Sequence, residues 1–311
     1  MLQITGLTYR IAGKLLLENA SVTVPAGHKV GIVGRNGAGK TTLYKLILKE
    51  LESDDGKIRV RKSAKVGQVA QEAPGGPQTL LETVLASHSE LVALHKEAES
   101  TVDANRIAAI HEKLQDIGAY EAEAKAASIL SGLGFDDAAQ RRACSEFSGG
   151  WRMRVALACT LFTQPDLLLL DEPTNYLDLE GVLWLENFIK NYPYTILIIS
   201  HDRDLLNQAA NAIIHLENRE LTYFGGNFDK FEKTYREQKI LQRAALKKQT
   251  LERAHIEKYI ERFRYKASKA KQAQSRIKML ERMEPLAALA EEHTVQFNFP
   301  NPTELAPPLI S

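Results

Sequence analysis

The sequence has few cysteines and no long apolar segment, and both features restrict the class of protein. Its 311 residues include two cysteines, Cys144 and Cys159, without the spacing of a metal site or a disulfide framework. The longest apolar runs, around 167–170 and 196–199, are far shorter than the ~20 residues that cross a bilayer. The N-terminus lacks the pattern of a signal peptide. We therefore expect a cytoplasmic protein without a membrane part.

Proline and glycine are absent from residues 228–283, and this stretch is also strongly basic. Residues 233–284 contain 16 Lys and Arg against 6 Asp and Glu, a surplus of ten positive charges. The rest of the chain has 24 basic and 33 acidic residues, a deficit of nine. An acidic body joined to a basic segment predicts a polyanionic partner for that segment, although Lys- and Ala-rich helices are often only solvated faces or coiled coils.

Apolar residues in the basic segment recur at alternating steps of four and three, which is typical of helix-on-helix packing. The pattern fits equally one long helix or a hairpin. The seam consists of Ile256, Ile260, Phe263, Ala267, Ala270 and Ile277, with Gln274 on the same line.

The first 227 residues have the pattern of an α/β fold. The apolar runs Leu167–Leu170 and Thr195–Ile199 are typical of strands buried on both faces of a parallel sheet. A helix is predicted between them at about 180–191, so the order is strand, helix, strand. Residues 80–140 show mostly helical spacing, and a further helix is predicted to begin near Met153.

A phosphate-loop pattern follows the strand at 29–33, because two glycines stand four residues apart before Lys40 and Thr41. Glycines let successive N–H groups turn inward and form an anion-binding nest, and the next helix adds its positive end. Lys40 is expected to reach the β- and γ-phosphates of ATP, and the Thr41 hydroxyl to ligate Mg²⁺. The predicted ATP-binding residues here are Gly34, Arg35, Asn36, Gly37, Ala38, Gly39, Lys40, Thr41 and Thr42.

Three polar residues follow the two buried strands, at the edge where α/β sheets bind ligands. Asp171 is predicted to hold Mg²⁺, and Glu172 to orient or deprotonate the attacking water. His201 is predicted to touch the γ-phosphate, although a histidine there is also compatible with an ordinary surface residue.

The order of these motifs resembles that of the ATP-binding cassette superfamily across residues 1–225. The set comprises the phosphate loop, Ser-Gly-Gly at 148–150, Leu-Leu-Leu-Leu-Asp-Glu-Pro-Thr-Asn at 167–175, Leu-Asp at 177–178, and His201. The resemblance implies a P-loop NTPase of the cassette type, of α/β class with a mixed or parallel sheet.

The resemblance also implies roles for residues that no pattern alone identifies. Ser148, Gly149 and Gly150 would form the signature that contacts the ATP of a partner cassette, and Asp178 would belong to the D-loop. Gln71 would meet Mg²⁺ and the attacking water, with Gln68 as the alternative. Tyr9 would stack on adenine, although a tyrosine there could equally belong to the core.

Within the superfamily, the chain is most similar to the ABC-F family of translation factors. The strings that carry this similarity are Phe-Ser-Gly-Gly-Trp-Arg at 147–152, Asp-Glu-Pro-Thr-Asn-Tyr-Leu-Asp at 171–178, Ser-His-Asp-Arg at 200–203, and the basic string at 266–276. Two departures are Trp151, where transporters usually carry Gln, and Tyr176, where the family usually has His. In that family a helical hairpin between two cassettes reaches toward transfer RNA, and a helical arm touches ribosomal RNA and protein.

This similarity implies a cassette at 1–227 with an arm insertion at about 84–130, a basic helical linker at 228–290, and an extended tail at 291–311 leading toward a second cassette. The implied partners are the ribosome, with its ribosomal and transfer RNA, and a second cassette or a second copy. Candidate RNA-contacting residues are Arg262, Arg264, Lys266, Lys269, Lys271 and Arg276.

Three other functions stay open at this point. An ATPase subunit of an ABC transporter is disfavoured by the basic segment. A DNA-associated cassette ATPase fits the charge as well as an RNA-binding protein does. A single cassette could also bind ATP without turning it over, since each ATP in this superfamily is held between two cassettes.

Overall fold

The computed structural model describes residues 1–70, 74–263 and 270–282. Residues 1–233 form one compact unit, and the described residues from Thr234 onward form a second. None of the helices in these described ranges combines the length and apolar character that a membrane span requires.

Strands predominate at the start of the first unit, a run of helices follows in its middle, and strands and helices alternate from residue 167 to 217. The strands are β1 (Leu2–Ile11), β2 (Lys14–Val24), β3 (Lys29–Gly34), β4 (Asp55–Val60), β5 (Val66–Gln68), β6 (Leu167–Asp171), β7 (Thr195–Ile199), β8 (Ala212–Glu217) and β9 (Glu220–Gly225). The helices are α1 (Lys40–Ile47), α2 (Leu80–Ala86), α3 (Ser89–Ser100), α4 (Ala104–Asp116), α5 (Ala122–Gly132), α6 (Asp137–Gln140), α7 (Gly149–Thr163), α8 (Leu179–Asn191), α9 (Arg203–Ala209), α10 (Phe228–Phe263) and α11 (Ala270–Arg282).

Two sheets build the first unit. Strands β2, β1 and β4 form an antiparallel sheet in that order. The larger sheet has the order β5-β6-β7-β3-β8-β9 and is parallel except for β9, which pairs antiparallel with β8. The predicted α/β class with a mixed or parallel sheet is confirmed, and the sheet is mixed.

The four leucines of β6 serve two different hydrophobic cores, because successive side chains in a strand point to opposite faces. Leu167 and Leu169 pack with the antiparallel sheet and α1. Leu168 and Leu170 pack on the other face, with helices α2, α5 and α7. The same alternation in β7 completes both cores, so the end of β6 is fixed from above and below.

Helix α7 begins four residues earlier than predicted. We expected a start near Met153, but Ser148 is the N-cap residue and the helix begins at Gly149. Two glycines in the first turn lower the local helix propensity, which hides this start in the sequence. The buried residues of the helix, among them Val155, Ala158 and Leu161, stabilise it through packing instead.

Helices α2 to α5 occupy the region where the sequence predicts mostly helix. Helix α2 has a capping box, in which Thr79 and Glu82 each bond the other's backbone N–H. Helices α3 and α4 run consecutively and bury Leu91, Leu94 and Ile110 in one core with α5. The arm role expected for residues 84–130 stays a prediction.

The described part of the basic segment contains two helices, whereas the sequence pattern fitted one long helix and a hairpin equally well. Helix α10 begins at Phe228, and its first turn packs on the cassette, where the Phe231 ring lies 5.0 Å from that of Phe224. Further along, the Arg276 guanidinium of α11 lies 4.0 Å from the centre of the Tyr259 ring in α10. The two helices therefore contact each other, as a hairpin requires.

Candidate nucleotide-binding site

The phosphate loop connects the buried strand β3 to helix α1. Gly37 and Gly39 have φ angles of 75° and 108°, in the left-handed region that favours glycine. Apart from Gly37 and its two chain neighbours, no heavy atom of the described residues lies within 4 Å of the position that a Cβ on Gly37 would take, so the loop leaves open space on that side. The N–H groups in the first turn of α1 have no acceptor within the helix, and its N-terminal end is positive.

Lys40, the first residue of α1, is largely buried beneath the loop. Its Nζ donates to the carbonyl oxygen of Gly34 at 2.9 Å and to that of Arg35 at 3.4 Å. The ammonium group is thus held inside the loop by the two residues at its start. A cation fixed at this place can pair with a phosphate chain bound by the loop.

Thr41 and Asp171 meet across the end of the sheet, although 130 positions separate them in the chain. The Thr41 hydroxyl donates to Asp171 Oδ2 at 2.7 Å. A hydroxyl and a carboxylate side by side are hard oxygen donors of the kind that Mg²⁺ uses together with phosphate oxygens and water. The described residues contain no group of three or more His, Cys, Asp or Glu side chains able to hold a metal, so these two would share the ion with such oxygens.

Glu172 has a left-handed backbone with φ of 47°, which is unfavourable for a residue with a Cβ. Its N–H donates to the Ile199 carbonyl at 2.8 Å. Its carboxylate accepts the His201 N–H at Oε2, at 3.3 Å, and lies 3.5 Å from His201 Nε2 at Oε1. The ends of β6 and β7 thus bring Asp171, Glu172 and His201 together, as the sequence predicts.

These groups line one open cavity of about 670 Å³, wide enough for a nucleotide. Three apolar residues, one lysine and one asparagine in its wall were missed by the sequence analysis, namely Ile11, Leu16, Ile199, Lys14 and Asn175. Ile11 and Lys14 flank the two-residue turn Ala12-Gly13, where both φ angles are positive, as in a tight hairpin. That turn is the one sequence signal that could have directed attention to them.

The cavity does not contain Tyr9, contrary to the expected adenine-stacking role. Tyr9 is only 9% exposed and belongs to the core between the two sheets. Register shifts on both sides of Tyr9 in β1 explain the difference, since each bulge changes which side chains face outward. The outward position is taken by Ile11.

Of the two candidate glutamines, Gln71 lies outside the described residues. Gln68 ends β5, and its Nε2 donates to Glu50 Oε1 at 2.9 Å. The Gln68 amide is therefore bonded to a residue shortly after α1. Gln68 is not part of the cavity wall.

Ser148, Gly149 and Gly150, the residues expected to form the signature, lie apart from the cavity that the phosphate loop lines. Ser148 is the N-cap residue of α7 and makes no side-chain hydrogen bond to the helix. Within the described residues, Ser148, Gly149 and Gly150 are not part of the cavity wall. A second ligand contact by these residues would have to be made elsewhere.

Arg154 connects helix α7 to the loop before α8, where the D-loop is expected. Its guanidinium donates to the Tyr176 carbonyl, to the Leu133 carbonyl at 3.1 Å and to Asp178 Oδ2 at 3.0 Å. It also lies 4.2 Å from the centre of the Trp151 ring. Asp178 caps α8 by accepting the Gly181 N–H, and this bond and Arg154 together hold the pKa of Asp178 below its usual value. Of the two departures from the family pattern, Trp151 joins this network through its ring, whereas Tyr176 joins it only through its backbone carbonyl.

The candidate RNA-contacting residues are only partly described. Arg262 is exposed on α10, and Arg276 is half-buried with its guanidinium over Tyr259. Arg264, Lys266 and Lys269 lie outside the described residues, as does the side chain of Lys271.

The fold and the site together define an ATP-binding cassette, and the chain belongs to the ABC transporter family. The model of that family matches residues 17–175, and a second model with the same description matches residues 214–299. The first match covers the phosphate loop, the signature and the carboxylates at the end of β6.

Similar curated proteins place the chain next to ABC-F members, which confirms the resemblance seen in the sequence. It is 44% identical over its whole length to the Probable ATP-binding protein YheS of Escherichia coli K12. It is 41% identical over 96% of its length to human ATP-binding cassette sub-family F member 3. The chain spans about half of each relative, 49% and 43% respectively.

Solved structures agree on the fold. The ATP-binding subunit of an ABC transporter matches with a TM-score of 0.56 at 18% identity, over 76% of this chain and 93% of that one. A dimeric post-hydrolysis state of the cassette MJ0796, bound to ADP and Pi, matches with a TM-score of 0.52 at 20% identity, over 72% and 98%.

Proposed function

We propose that this chain binds ATP with Mg²⁺ in the cavity at the phosphate loop and hydrolyses it to ADP and phosphate. The observation that carries the proposal is the contact between Thr41 and Asp171 beside the buried ammonium of Lys40. Lys40 would supply a cation for the phosphates, and Thr41 and Asp171 would supply oxygen donors for Mg²⁺, all in the wall of the same cavity. The names of two relatives, which describe an ATP-binding protein and an ATP-binding cassette member, support the proposed binding of ATP.

Glu172 is the proposed general base. It would accept a proton from the water that attacks the γ-phosphorus, while the bond to the β-phosphate oxygen breaks and ADP leaves. His201, 3.5 Å from the carboxylate, would orient Glu172 and contact the γ-phosphate. Mg²⁺, when bound, would neutralise charge on the β- and γ-phosphates.

A second cassette is proposed to complete the site. Because Ser148, Gly149 and Gly150 lie apart from the phosphate-loop cavity, they are free to contact a nucleotide held by a partner. That partner is a second cassette of a longer chain or a second copy of this one. ATP binding would close the two cassettes and hydrolysis would release them.

The substitution Glu172→Gln tests the chemistry. Removal of a general base lowers turnover by roughly 10²–10⁴-fold, while the affinity for ATP should change little because the phosphate loop and Lys40 are intact. Glu180→Gln is the matched control, an exposed carboxylate in the first turn of α8. Equal turnover in wild type and Glu172→Gln, with ATP bound in both, would contradict the assigned role.

We further propose that the basic segment acts on the ribosome by contacting RNA. Its surplus of ten positive charges favours a phosphate backbone, and the resemblance to ABC-F proteins, whose linker reaches toward transfer RNA, implies RNA rather than DNA. Tyr259, an aromatic residue among the cations, already lies against Arg276 of helix α11, so charge and shape would dominate binding.

Competition between ribosomes and duplex DNA separates RNA binding from the DNA-associated alternative. The proposal expects purified ribosomes to displace the chain from a labelled DNA duplex at equal phosphate concentration. Displacement in the opposite direction would favour the DNA-associated cassette.

A further inference from the structure

Tyr44 lies directly beneath the carboxylates of the site. It is 3% exposed and stands one helical turn after Thr41 in α1, so both side chains face the end of β6. The Tyr44 hydroxyl donates to the Leu170 carbonyl at 3.2 Å, and Thr41 donates to the next residue, Asp171. Burial raises the pKa of the Tyr44 phenol well above its usual value, so the hydroxyl keeps its proton and remains a donor.

The two residues that these bonds reach, Leu170 and Asp171, lead directly into a strained backbone position at Glu172. Glu172 has its left-handed backbone immediately after Asp171, and such conformations persist only where the surroundings fix them. Pairing with β5 ends at Leu169, one residue before the carbonyl that Tyr44 reaches. On the other side, β7 holds the turn through the bond from Glu172 N–H to Ile199.

We propose that Tyr44 is a positioning residue that fixes the turn from Leu170 to Glu172 relative to the phosphate loop. By this account the hydroxyl locks α1 to the end of β6, so that the Asp171 carboxylate stays beside Thr41 and Glu172 stays beside His201. This role rests on the proposed binding of ATP with Mg²⁺. It adds a residue outside the phosphate loop and outside the cavity wall to the machinery of the site.

A second buried tyrosine provides a matched control at the opposite end of the same strand. Tyr192 is 2% exposed, and its hydroxyl donates to the Pro165 carbonyl at 2.6 Å, just before β6 begins. Both phenols are thus buried donors to a backbone carbonyl, one near the end of β6 and the other just before its start. Of the two, only Tyr44 lies next to Asp171 and Glu172. Tyr192→Phe should therefore lower stability without changing the position of these carboxylates.

The test compares Tyr44→Phe, Tyr192→Phe and wild type by equilibrium binding of a non-hydrolysable ATP analogue with Mg²⁺ and with EDTA. In wild type, Mg²⁺ should raise the affinity. In Tyr44→Phe that gain should shrink about fivefold, the change expected from one neutral hydrogen bond, while the affinity in EDTA stays the same. Tyr192→Phe should keep the full gain, and both variants should lose similar thermal stability.

Hydrogen exchange in the absence of nucleotide gives a second readout. Peptides covering residues 169–175 should exchange faster in Tyr44→Phe than in Tyr192→Phe or wild type. A further variant, Tyr44→Leu, replaces the ring by an aliphatic core residue and should show the same reduced gain from Mg²⁺.

The outcomes separate this inference from the function on which it rests. If wild type binds the analogue more tightly with Mg²⁺ and both Tyr44 variants do so equally well, the positioning role is overturned and the proposed function stands. If wild type shows no effect of Mg²⁺ on affinity, the proposed function fails and the role of Tyr44 fails with it.

Discussion

In the cassette, two fully buried strands deliver a few charged groups to one edge of a sheet, whereas in the basic segment many charges lie along exposed helices. Leu168 and Ile198 are inaccessible to solvent, and the polar residues that follow their strands meet within hydrogen-bond distance. In α10, by contrast, Ile240, Leu241 and Leu251 are themselves mostly exposed. The first arrangement can fix individual atoms for chemistry, and the second presents charge over a long surface.

This difference determines which kind of binding specificity each region can supply. A site such as Thr41 with Asp171 depends on one distance, so a change of one atom should alter it. A helix whose surplus charge is spread over many side chains binds a polyanion through their sum. Substitutions should therefore act sharply in the cassette and gradually in the basic segment.

The largest expected effect concerns stability. Leu168→Ala removes a fully buried side chain between β6 and the helices and should lower the free energy of unfolding by about 2–5 kcal/mol. Leu251→Ala, at a position 64% exposed in α10, should change it by less than about 0.5 kcal/mol. Urea titrations followed by the fluorescence of Trp151 and Trp184, both in the cassette, measure the difference. Equal losses would contradict the contrast between the two regions.

The next effect separates the two binding activities. Lys40→Met removes the ammonium held under the phosphate loop and should weaken ATP binding roughly 10- to 150-fold, the range for a bond to a charged group. Lys258→Met, on the exposed surface of α10, should leave ATP binding unchanged. Calorimetric titration with ATP and Mg²⁺ checks both. A similar loss in both variants would show that the two regions do not act separately.

The smallest effect depends on pH and involves Asp178, the N-cap residue of α8. The Gly181 N–H and Arg154 hold the pKa of Asp178 below its usual value, so the folded state favours the ionised carboxylate. Its stabilisation is complete above the unfolded-state pKa of about 3.9 and is lost as the pH falls through the lower folded-state pKa. Asp178→Ala should cost about 1 kcal/mol at pH 7, as for the loss of an N-cap.

The cost of Asp178→Ala should shrink as the pH is lowered below about 4, which urea titrations at several pH values can follow. Glu257→Ala provides the comparison in the basic segment, because Glu257 pairs with Arg253 on the surface of α10 at 3.0 Å. Such exposed pairs contribute only about 0.3–0.5 kcal/mol. A constant cost of Asp178→Ala down to pH 3 would contradict the assignment to the ionised carboxylate.

The strands and the phosphate loop that carry the site could be predicted, because a short stretch of sequence specifies each of them. The strand Thr195–Ile199 and the end of β6 at Asp171 follow from apolar runs, and the phosphate loop follows from its glycines. Parallel strands ending at one edge then bring Asp171, Glu172 and His201 together without further information.

Features that depend on irregular geometry or on distant packing could not be predicted. The bulges beside Tyr9 turn its ring into the core and leave Ile11 facing the cavity, which simple alternation along β1 does not reveal. The bond from Tyr44 to Leu170 joins residues 126 positions apart, and the bond from Arg154 in α7 to Asp178, the N-cap residue of α8, joins residues 24 positions apart. Each of these contacts depends on tertiary structure rather than on spacing in the chain.

The most direct test of the account is co-sedimentation of the Glu172→Gln variant with purified ribosomes, with and without ATP, across a series of salt concentrations. This variant should bind ATP and hydrolyse it slowly, so that the ATP-bound state persists. The account predicts pelleting that requires ATP and weakens as salt rises, because phosphate contacts release counterions. If the variant binds ATP yet fails to pellet with ribosomes, also after a second cassette is appended, the proposed action on the ribosome is contradicted.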